Sequence, residues 1–293
     1  MNLCFIGFGE AGGAFASGIS VAGNPAISAY DIKFDQPSTR DAVIEFCRVN
    51  GARACDTLED AIRSADVVFS TVTADQAQIA AAQAARQFPA NAFFLDCNSC
   101  SPGSKSASEE VIAAAGGRYV DVAVMAPVHP ARHETPLLMS GEHAADASVV
   151  LTKLGMRPAV IDGPVGIASS NKMVRSIVVK GLEAITAECV LAGTRAGVLD
   201  AVLESLDKSY PGFDWRRRAG YNLERMMQHG PRRAAEMLEV EKTVKELGLS
   251  GEMAAATANW QATIGALDLQ PSSHDYENLA AQILSGLTAE SED

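Results

Sequence analysis

Basic residues and aromatic residues are both scarce in this chain of 293 residues. Lys and Arg total 24 against 36 Asp and Glu, which gives a formal net charge of −12 at pH 7. Binding to a nucleic-acid backbone requires clustered cations, so we expect no nucleic-acid partner, although a few local cations suffice for a small anionic substrate. Aromatic residues make up only 6% of the chain, so aliphatic side chains must supply most of the core.

Signals for membranes and for secretion are lacking as well. No apolar run approaches the length that spans a bilayer, so we expect no membrane partner. No basic segment precedes the first apolar run, which argues against a signal peptide. The six cysteines fall mostly inside predicted helices and strands rather than at the spacings of a disulfide framework. These features favour a cytoplasmic protein with reduced thiols.

Two patterns that resemble metal or redox motifs lack the residues that would complete them. Cys97 and Cys100 form a single C-x-x-C, but no second ligand pair follows for zinc, and ordinary thiols are favoured. His129, His133 and Glu134 have the spacing of metal ligands, yet two prolines oppose the helix that would align them. We therefore expect no metal site, and we expect the histidine-containing loop to border the substrate cleft.

The sequence does contain a glycine-rich loop directly after its first apolar run. Leu3–Ile6 is typical of a buried strand, and Gly7, Gly9 and Gly12 follow with the spacing G-x-G-x-x-G. These glycines allow, in turn, a tight turn, the approach of a pyrophosphate and close packing of helix on strand. The start of the following helix offers unpaired N–H groups to phosphates. Asp31 ends the next predicted strand, where a carboxylate binds ribose hydroxyls, so the pattern predicts a dinucleotide site.

Asp31 also bears on the choice of cofactor. A carboxylate at this position would repel the 2′-phosphate of NADP, which favours NAD. Lys33 and Arg40 lie nearby in sequence and are able to attract that phosphate, so NADP is not excluded. The predicted cofactor-binding residues lie in the glycine loop, at Asp31 and after the fourth strand: Gly7, Phe8, Gly9, Glu10, Ala11, Gly12, Asp31, Thr71, Val72 and Thr73.

The chain divides into a part with alternating strands and helices and a purely helical part. Strands are predicted at residues 3–6, 26–30, 52–54, 66–71, 92–95, 119–124, 136–140 and 158–161. This alternation predicts an α/β fold, a Rossmann-type doubly wound and mainly parallel sheet, in residues 1–163. Helices are predicted at 168 to beyond 191, 199–208, 215–228, 231–247, 251–267 and 276–287, before an acidic end at 290–293 that we expect to fray. We therefore predict a second, all-α domain over residues 164–293, in which Pro231 begins one helix and Gly248 follows its end.

Lys172 is the candidate for proton transfer. A hydride-transfer enzyme needs a proton donor or acceptor beside the reacting carbon. Lys172 lies on the first turns of the helix that follows the predicted domain boundary, and clefts between domains often hold ligands. Partial desolvation there would lower the pKa of its ammonium group towards neutrality. An ordinary surface lysine is equally compatible with the spacing.

Four motifs resemble those of the β-hydroxyacid dehydrogenase family, which includes relatives of 3-hydroxyisobutyrate and 6-phosphogluconate dehydrogenase. They are Gly-Phe-Gly-Glu-Ala-Gly at 7–12, Asp-Cys-Asn-Ser-Cys-Ser-Pro at 96–102, Asp-Val-Ala-Val-Met-Ala-Pro at 121–127, and the lysine motif at 166–176. The resemblance implies the two-domain fold, NAD or NADP as the cofactor, Lys172 as the catalytic residue and a homodimer formed through the helical domain. Residues 229–237 resemble a less characterised branch with its own C-terminal helical domain.

The motifs depart from the family pattern where the substrate would bind. Asn98 and Ser99 stand where the family has Ser and Thr, and Met125 begins a Met-Ala-Pro that replaces Ser-Gly-Gly. Arg175 replaces an Asn one helical turn from Lys172, where a guanidinium is able to bind a carboxylate through two hydrogen bonds or to pair with an acidic residue of the helical domain. His229 is expected to line the cleft from the helical domain, although a solvated helix start is also compatible. The predicted substrate-binding residues are Asn98, Ser99, Met125, Arg175 and His229.

Three functions are compatible with these residues. The first is hydride transfer between NAD(P) and a small hydroxy or oxo acid, with Lys172 as the proton donor or acceptor. The second is an imine reductase of the same fold, a group of relatives that usually lack this lysine. The third is a dinucleotide-binding sensor without turnover, in which Lys172 would have no role.

Overall fold

A computed structural model of the protein describes residues 1–23, 25–271 and 273–289. The chain forms two compact units, Met1–Met173 and the part from Val174 onward. The division lies within a long helix, after the position near Gly163 at which the sequence places the boundary. The acidic end at 290–293, which we expect to fray, lies outside the described residues.

The first unit is built on one sheet of eight strands. The strands are β1 (Asn2–Ile6), β2 (Ala26–Tyr30), β3 (Arg53–Ala54), β4 (Val67–Ser70), β5 (Phe93–Asp96), β6 (Arg118–Val124), β7 (Pro136–Ser140) and β8 (Arg157–Val160). Their order is β3-β2-β1-β4-β5-β6-β7-β8, and β6–β7 is the one antiparallel pair among the strands that the structure describes. The predicted doubly wound, mainly parallel sheet is therefore confirmed.

The strand register places the ends of three neighbouring strands side by side. Ile6 of β1 pairs with Tyr30 of β2 and with Ser70 of β4. The loop after β1 therefore lies between the residues that follow β2 and those that follow β4. In a doubly wound sheet this is the point at which the strand order reverses and ligands bind.

The sheet is covered on both faces, as expected for parallel strands. Among the described residues, six α-helices lie wholly within this unit: α1 (Glu10–Gly23), α2 (Pro37–Val49), α3 (Leu58–Ile62), α4 (Ala77–Ala85), α5 (Pro102–Ala114) and α6 (Ala144–Lys153). Successive residues of β1 alternate between the two cores, because Leu3 and Phe5 join one apolar cluster and Cys4 and Ile6 join the other. Phe5 stacks on a phenylalanine of β4 with 4.7 Å between the ring centroids.

Helices account for the regular structure described beyond β8. They are α7 (Ile167–Ala196), α8 (Leu199–Ser209), α9 (Trp215–Glu246), α10 (Glu252–Ala266) and α11 (Tyr276–Ala289). The core of the second unit contains apolar side chains of α7, α9, α10 and α11, among them Val190, Leu223, Met226, Ile264 and Leu279. The predicted all-α region is confirmed, and most element ends differ from the predicted ones by one or two residues. None of the described helices combines the length and the apolarity needed to cross a bilayer.

The prediction that Pro231 begins a helix was wrong. Helix α9 runs through Pro231 without a break, so the two helices predicted at 215–228 and 231–247 are one. A Cβ on Gly265 of α10 would lie 2.6 Å from Cδ of Pro231, and a Cβ on Gly230 would lie 2.5 Å from the carbonyl oxygen of Gln261. Close packing of α10 on this point of α9 offsets the loss of the backbone hydrogen bond that a proline cannot donate. Gly248 does follow the end of α9, with a φ of +80°.

Candidate nucleotide and proton-transfer site

The three glycines of the loop after β1 differ in what surrounds them. A Cβ on Gly7, which has a φ of +81°, would lie 2.8 Å from the carbonyl oxygen of Thr71. A Cβ on Gly12 would lie 2.9 Å from the carbonyl oxygen of Gly7, so the start of α1 is packed tightly on the loop. No atom lies within 4 Å of a Cβ built on Gly9, which leaves open the space through which a pyrophosphate would approach.

Asp31 is fixed at the end of β2 next to this loop. Its Oδ2 accepts a 2.8 Å hydrogen bond from the backbone N of Phe8, and its Oδ1 accepts a 3.0 Å hydrogen bond from the backbone N of Lys33. Each carboxylate oxygen has a second lone pair, so the group remains able to accept ribose hydroxyls. Because the backbone N–H of Phe8 donates to Asp31, it is not available to a phosphate. The N–H groups of Gly9, Glu10 and the first turn of α1 remain for the phosphates. These residues fit a dinucleotide.

Arg40 is already occupied within the protein. Its Nη1 donates a 2.9 Å hydrogen bond to the carbonyl oxygen of Phe34, and its Nη2 forms an ion pair with Asp56. Lys33 is exposed beside Asp31. A 2′-phosphate would therefore meet the Asp31 carboxylate and one flexible lysine, which is the arrangement that favours NAD.

Thr71, Val72 and Thr73 follow β4, and the first two of them contact the glycine loop. The hydroxyl of Thr71 donates a 2.6 Å hydrogen bond to the carbonyl oxygen of Gly7, and its backbone N donates to Ile6. Val72 is half-buried, and its Cγ1 would lie 2.7 Å from a Cβ on Gly7. Thr73 is exposed at the edge of this segment.

Lys172 and Ser99 form a hydrogen-bonded pair. Lys172 is in the second turn of α7, and its Nζ donates a 2.7 Å hydrogen bond to Oγ of Ser99 in the loop after β5. Both side chains are half-buried. Two residues that are 73 positions apart in sequence, and that were predicted separately as catalytic and substrate-binding, therefore meet in the first unit.

Asn98 is buried, and its amide group is used to hold the loop that carries Ser99. Its Nδ2 donates to Oγ of Ser70 at 2.9 Å and to Oδ1 of Asp96 at 2.8 Å. Its Oδ1 has no hydrogen-bond partner among the described residues. Direct contact of Asn98 with substrate stays a prediction, and only this oxygen remains to make it.

Met125, Arg175 and His229 lie in three separate elements. Met125 follows β6, is half-buried, and donates its backbone N to the carbonyl oxygen of Pro136 at 2.9 Å. Arg175 is exposed on α7, with no ion-pair partner in the described part of the chain, and His229 is half-buried on α9. Arg175 and His229 belong to the second unit, and their contact with substrate stays a prediction.

A buried charged cluster that was not predicted from the sequence lies beneath the Lys172–Ser99 pair. Lys105 of α5 is fully buried, and its Nζ donates to the carbonyl oxygen and to Oδ1 of Asp96 at 2.6 and 2.9 Å. The same Nζ lies 3.4 Å from Oδ1 of Asp121, and the hydroxyl of Tyr119 donates to Oδ2 of Asp96 at 2.7 Å. Burial lowers the pKa of Lys105, but the two carboxylates outweigh it, so the net shift is upward. A lysine in an amphipathic helix is usually solvated, so no sequence signal indicates this burial.

Asp121 caps the helix that carries Lys172. Its Oδ2 accepts hydrogen bonds from the backbone N of Gly166 at 3.1 Å and of Ser169 at 2.9 Å, and its Oδ1 accepts from the Ser169 hydroxyl at 2.6 Å. Ser140 of β7 accepts a 3.0 Å hydrogen bond from the backbone N of Ala168. A carboxylate at this end of a helix is favoured by the helix dipole as well. Asp121 and the segment from Gly166 occur in two separate family-like motifs, and nothing in the sequence predicts their contact.

In the loop between β6 and β7, the His133 ring packs on α1, because a Cβ on Gly18 would overlap the imidazole. The buried Nδ1 of His133 has no hydrogen-bond partner among the described residues. That this loop borders a substrate cleft stays a prediction. In the described ranges, no group of three His, Cys, Asp or Glu side chains is arranged to hold a metal ion. Cys97 and Cys100 are buried thiols outside any disulfide, and burial raises the pKa of Cys97 to about 12.

Comparisons with known proteins match both parts of the chain. Residues 2–163 match the NAD binding domain of 6-phosphogluconate dehydrogenase. Residues 194–264 match a domain of unknown function, DUF1932. The first match covers more than half of the chain and includes the glycine loop, Asp31 and the β4 end.

Individual proteins resemble this chain over most of its length. The crystal structure of a conserved hypothetical protein from Sinorhizobium meliloti 1021 is 34% identical, with 98% of this chain and 96% of that chain covered and a TM-score of 0.77. A 3-hydroxyisobutyrate dehydrogenase from Pseudomonas aeruginosa is 26% identical over 221 residues, which are 73% of this chain and 71% of that protein. The 3-hydroxyisobutyrate dehydrogenase of Mycobacterium tuberculosis, solved with L-serine, has a TM-score of 0.73 at 15% identity over 97% of this chain and 98% of that chain, which shows the shared fold alone.

Proposed function

Because this chain belongs to the β-hydroxyacid dehydrogenase family and carries its NAD-binding domain, we propose that it transfers a hydride between the nicotinamide and a small hydroxy or oxo acid. Family membership supports an NAD(P)-dependent oxidoreductase. The substrate class and the role of Lys172 are the proposal. The observation that carries it is the 2.7 Å hydrogen bond from Nζ of Lys172 to Oγ of Ser99.

Lys172 and Ser99 have complementary roles in this proposal. When bound, the nicotinamide cofactor supplies or accepts the hydride. In the reducing direction, Lys172 donates a proton from Nζ to the substrate oxygen, and in the oxidising direction Nζ receives that proton. Ser99 accepts a hydrogen bond from Lys172 and keeps its own hydroxyl proton to donate to the substrate, which orients the reacting group.

A negative charge on the substrate is supported by Arg175 and by the segment after β6. Arg175 is exposed on α7 and has a guanidinium that suits a carboxylate. Met125 and the following Ala and Pro provide fewer backbone donors than the Ser-Gly-Gly of the family motif. We therefore propose that a side-chain cation, rather than a row of backbone N–H groups, binds the acid group, and that the substrate differs from those of the better-known relatives.

A substrate screen tests this reaction class. NADH and NADPH are first titrated by fluorescence, and small hydroxy acids, oxo acids and cyclic imines are then assayed with the preferred nucleotide. Turnover of an acid, with NADH bound more tightly than NADPH, is the expected result. Turnover of imines alone would favour the imine reductase, and tight nucleotide binding without any turnover would favour the sensor.

We also propose that two copies of the chain associate through α7. Val174, Val178 and Ile185 are 47%, 62% and 52% exposed, and their spacing places them on one face of the helix. An apolar stripe of this kind in contact with water is typical of an interaction surface. The six cysteines are in the thiol form, which is consistent with a reducing compartment, and we propose the cytoplasm.

A further inference from the structure

Each member of the Lys172–Ser99 pair is held by a different buried carboxylate. Asp96, at the end of β5, accepts hydrogen bonds from the backbone N and the Nδ2 of Asn98, the residue directly before Ser99. Asp121 caps the first turn of α7, and Lys172 lies less than one turn beyond the capped Ser169. The position of the pair therefore depends on how the two carboxylates are placed relative to each other.

Asp96 and Asp121 are neighbours across two strands. They are direct register partners in the parallel β5–β6 pair, and both are 1% exposed or less. Two unscreened carboxylates at such positions repel each other strongly. Lys105 contacts both of them, with Nζ 2.9 Å from Oδ1 of Asp96 and 3.4 Å from Oδ1 of Asp121.

We propose that Lys105 is a positioning residue, which sets the distance between Lys172 and Ser99 by bridging Asp96 and Asp121. The three donors of its ammonium group face three acceptors, namely the carbonyl oxygen and Oδ1 of Asp96 and Oδ1 of Asp121. Lys105 itself is fully buried and touches neither substrate nor cofactor in this arrangement. It acts on catalysis only through the pair, so this part of the inference rests on the proposed function.

Burying an ammonium group completely in a protein core has a large cost in desolvation free energy. Buried ion clusters are often replaced by apolar side chains without loss of stability, so stability alone does not account for such a group. The contribution of Lys105 is geometric. Its ammonium group contacts both Asp96 and Asp121 and so fixes the ends of β5 and β6 relative to each other, which an apolar side chain would not do. Loss of Lys105 is therefore expected to release Lys172 from Ser99.

The test uses the full-length protein, two variants of the buried cluster and one control variant. Lys105→Met removes the bridge but leaves both carboxylates charged. Lys105→Met combined with Asp121→Asn also removes the bridge, yet it retains an oxygen for the α7 amides and has one buried negative charge fewer. Lys180→Met is the matched control. Lys180 is a buried lysine of α7, the helix that carries Lys172, and it pairs with Glu236 in the second unit.

The first measurement needs no substrate. Folded protein is labelled with an amine-reactive ester over a range of pH, and modification of Lys172 is quantified by mass spectrometry relative to the exposed Lys208. We expect Lys105→Met and the double variant each to label Lys172 at least about fivefold faster than the wild type, with a shifted pH midpoint, and the Lys180→Met control to label it as the wild type does. Unchanged labelling in a folded variant would overturn the proposal, and so would failure of the double variant to fold, since Lys105 would then be a structural residue.

The second measurement uses whichever substrate the screen identifies. We expect kcat of the double variant to fall about 10- to 100-fold while the KM and the affinity for NADH stay within about threefold, as for loss of orientation in the reacting complex. An unchanged kcat would contradict a role in catalysis. If no substrate is found, the proposed function fails while the labelling result still decides whether Lys105 positions the pair.

Discussion

The hydroxyl of Thr71 donates a 2.6 Å hydrogen bond to the carbonyl oxygen of Gly7. This bond joins the end of β4 to the glycine loop, and it leaves little room for a side chain at Gly12. The Cβ of an alanine at position 12 would meet both groups, at 2.9 Å from the Gly7 oxygen and 3.0 Å from Oγ1 of Thr71. Gly9, two residues after Gly7, faces open space.

Gly9→Ala and Gly12→Ala are expected to affect different properties, namely nucleotide affinity and stability. Gly9→Ala should leave the free energy of unfolding within about 0.5 kcal/mol of the wild type and weaken NADH binding, because its methyl group occupies the space of the pyrophosphate. Gly12→Ala should lower the free energy of unfolding by about 1–3 kcal/mol through overpacking. Urea unfolding and NADH titration measure the two effects. Equal loss of stability in both variants would contradict the separate roles.

Asp31→Asn is expected to reduce the preference for NADH over NADPH. The amide retains the shape of the side chain but no longer repels a 2′-phosphate, and it is a weaker acceptor for ribose hydroxyls. We expect the affinity for NADH to fall about tenfold and the affinity for NADPH to stay constant or rise, as measured by fluorescence titration. Arg40→Met is the control and should change neither affinity much, because Arg40 is held by Asp56 and by the backbone of Phe34.

Arg233→Met is expected to destabilise the helical unit in a pH-dependent way. Arg233 Nη1 donates to both carboxylate oxygens of the buried Glu183, and burial raises the pKa of Glu183 while Arg233 lowers it. Without the guanidinium, the pKa of Glu183 rises further, so the folded state loses stability as the pH rises through that range. We expect a loss of about 3–5 kcal/mol at pH 8 and a smaller loss at pH 5, from thermal unfolding.

The double variant Arg233→Met with Glu183→Gln controls for the lost packing of the arginine. It leaves no buried carboxylate, so most of the stability and most of the pH dependence relative to the wild type should be restored. A loss of equal size at both pH values in the single variant would contradict this account of the pair.

Val178→Asp is expected to produce a monomer. Val178 is the most exposed residue of the apolar stripe on α7, and a carboxylate there would be desolvated in the interface between two copies. Sedimentation velocity should show the wild type as a dimer and the variant at half that mass, with unchanged circular dichroism. Leu238→Asp, at an exposed leucine of α9 outside the stripe, is the control. A monomeric wild type would contradict the proposed interface.

The fold and the nucleotide loop were predictable because their signals are local. Apolar runs of four to seven residues give the strands, and the glycines with Asp31 give the loop whose geometry the structure confirms. The helix start predicted at Pro231 was wrong because packing against Gly265, which lies far along the chain, overrides the local rule for a proline.

The support beneath the Lys172–Ser99 pair was not predictable for a related reason. Lys105, Asp96 and Asp121 come from three elements, and only the β5–β6 register brings the two carboxylates together. Single residues of these types are normally solvated, so composition and periodicity carry no sign of a buried cluster. The sequence did identify both members of the pair, but as separate residues.

In the proposed reaction, Lys172 transfers the proton that accompanies hydride transfer. This role is tested by the single-turnover rate of nicotinamide oxidation or reduction with an accepted acid, in the wild type and in Lys172→Met. We expect a fall of about 10²–10⁴-fold in this rate, with the affinity for the nucleotide unchanged. A rate within about threefold of the wild type, in a variant that binds the nucleotide normally, would contradict it.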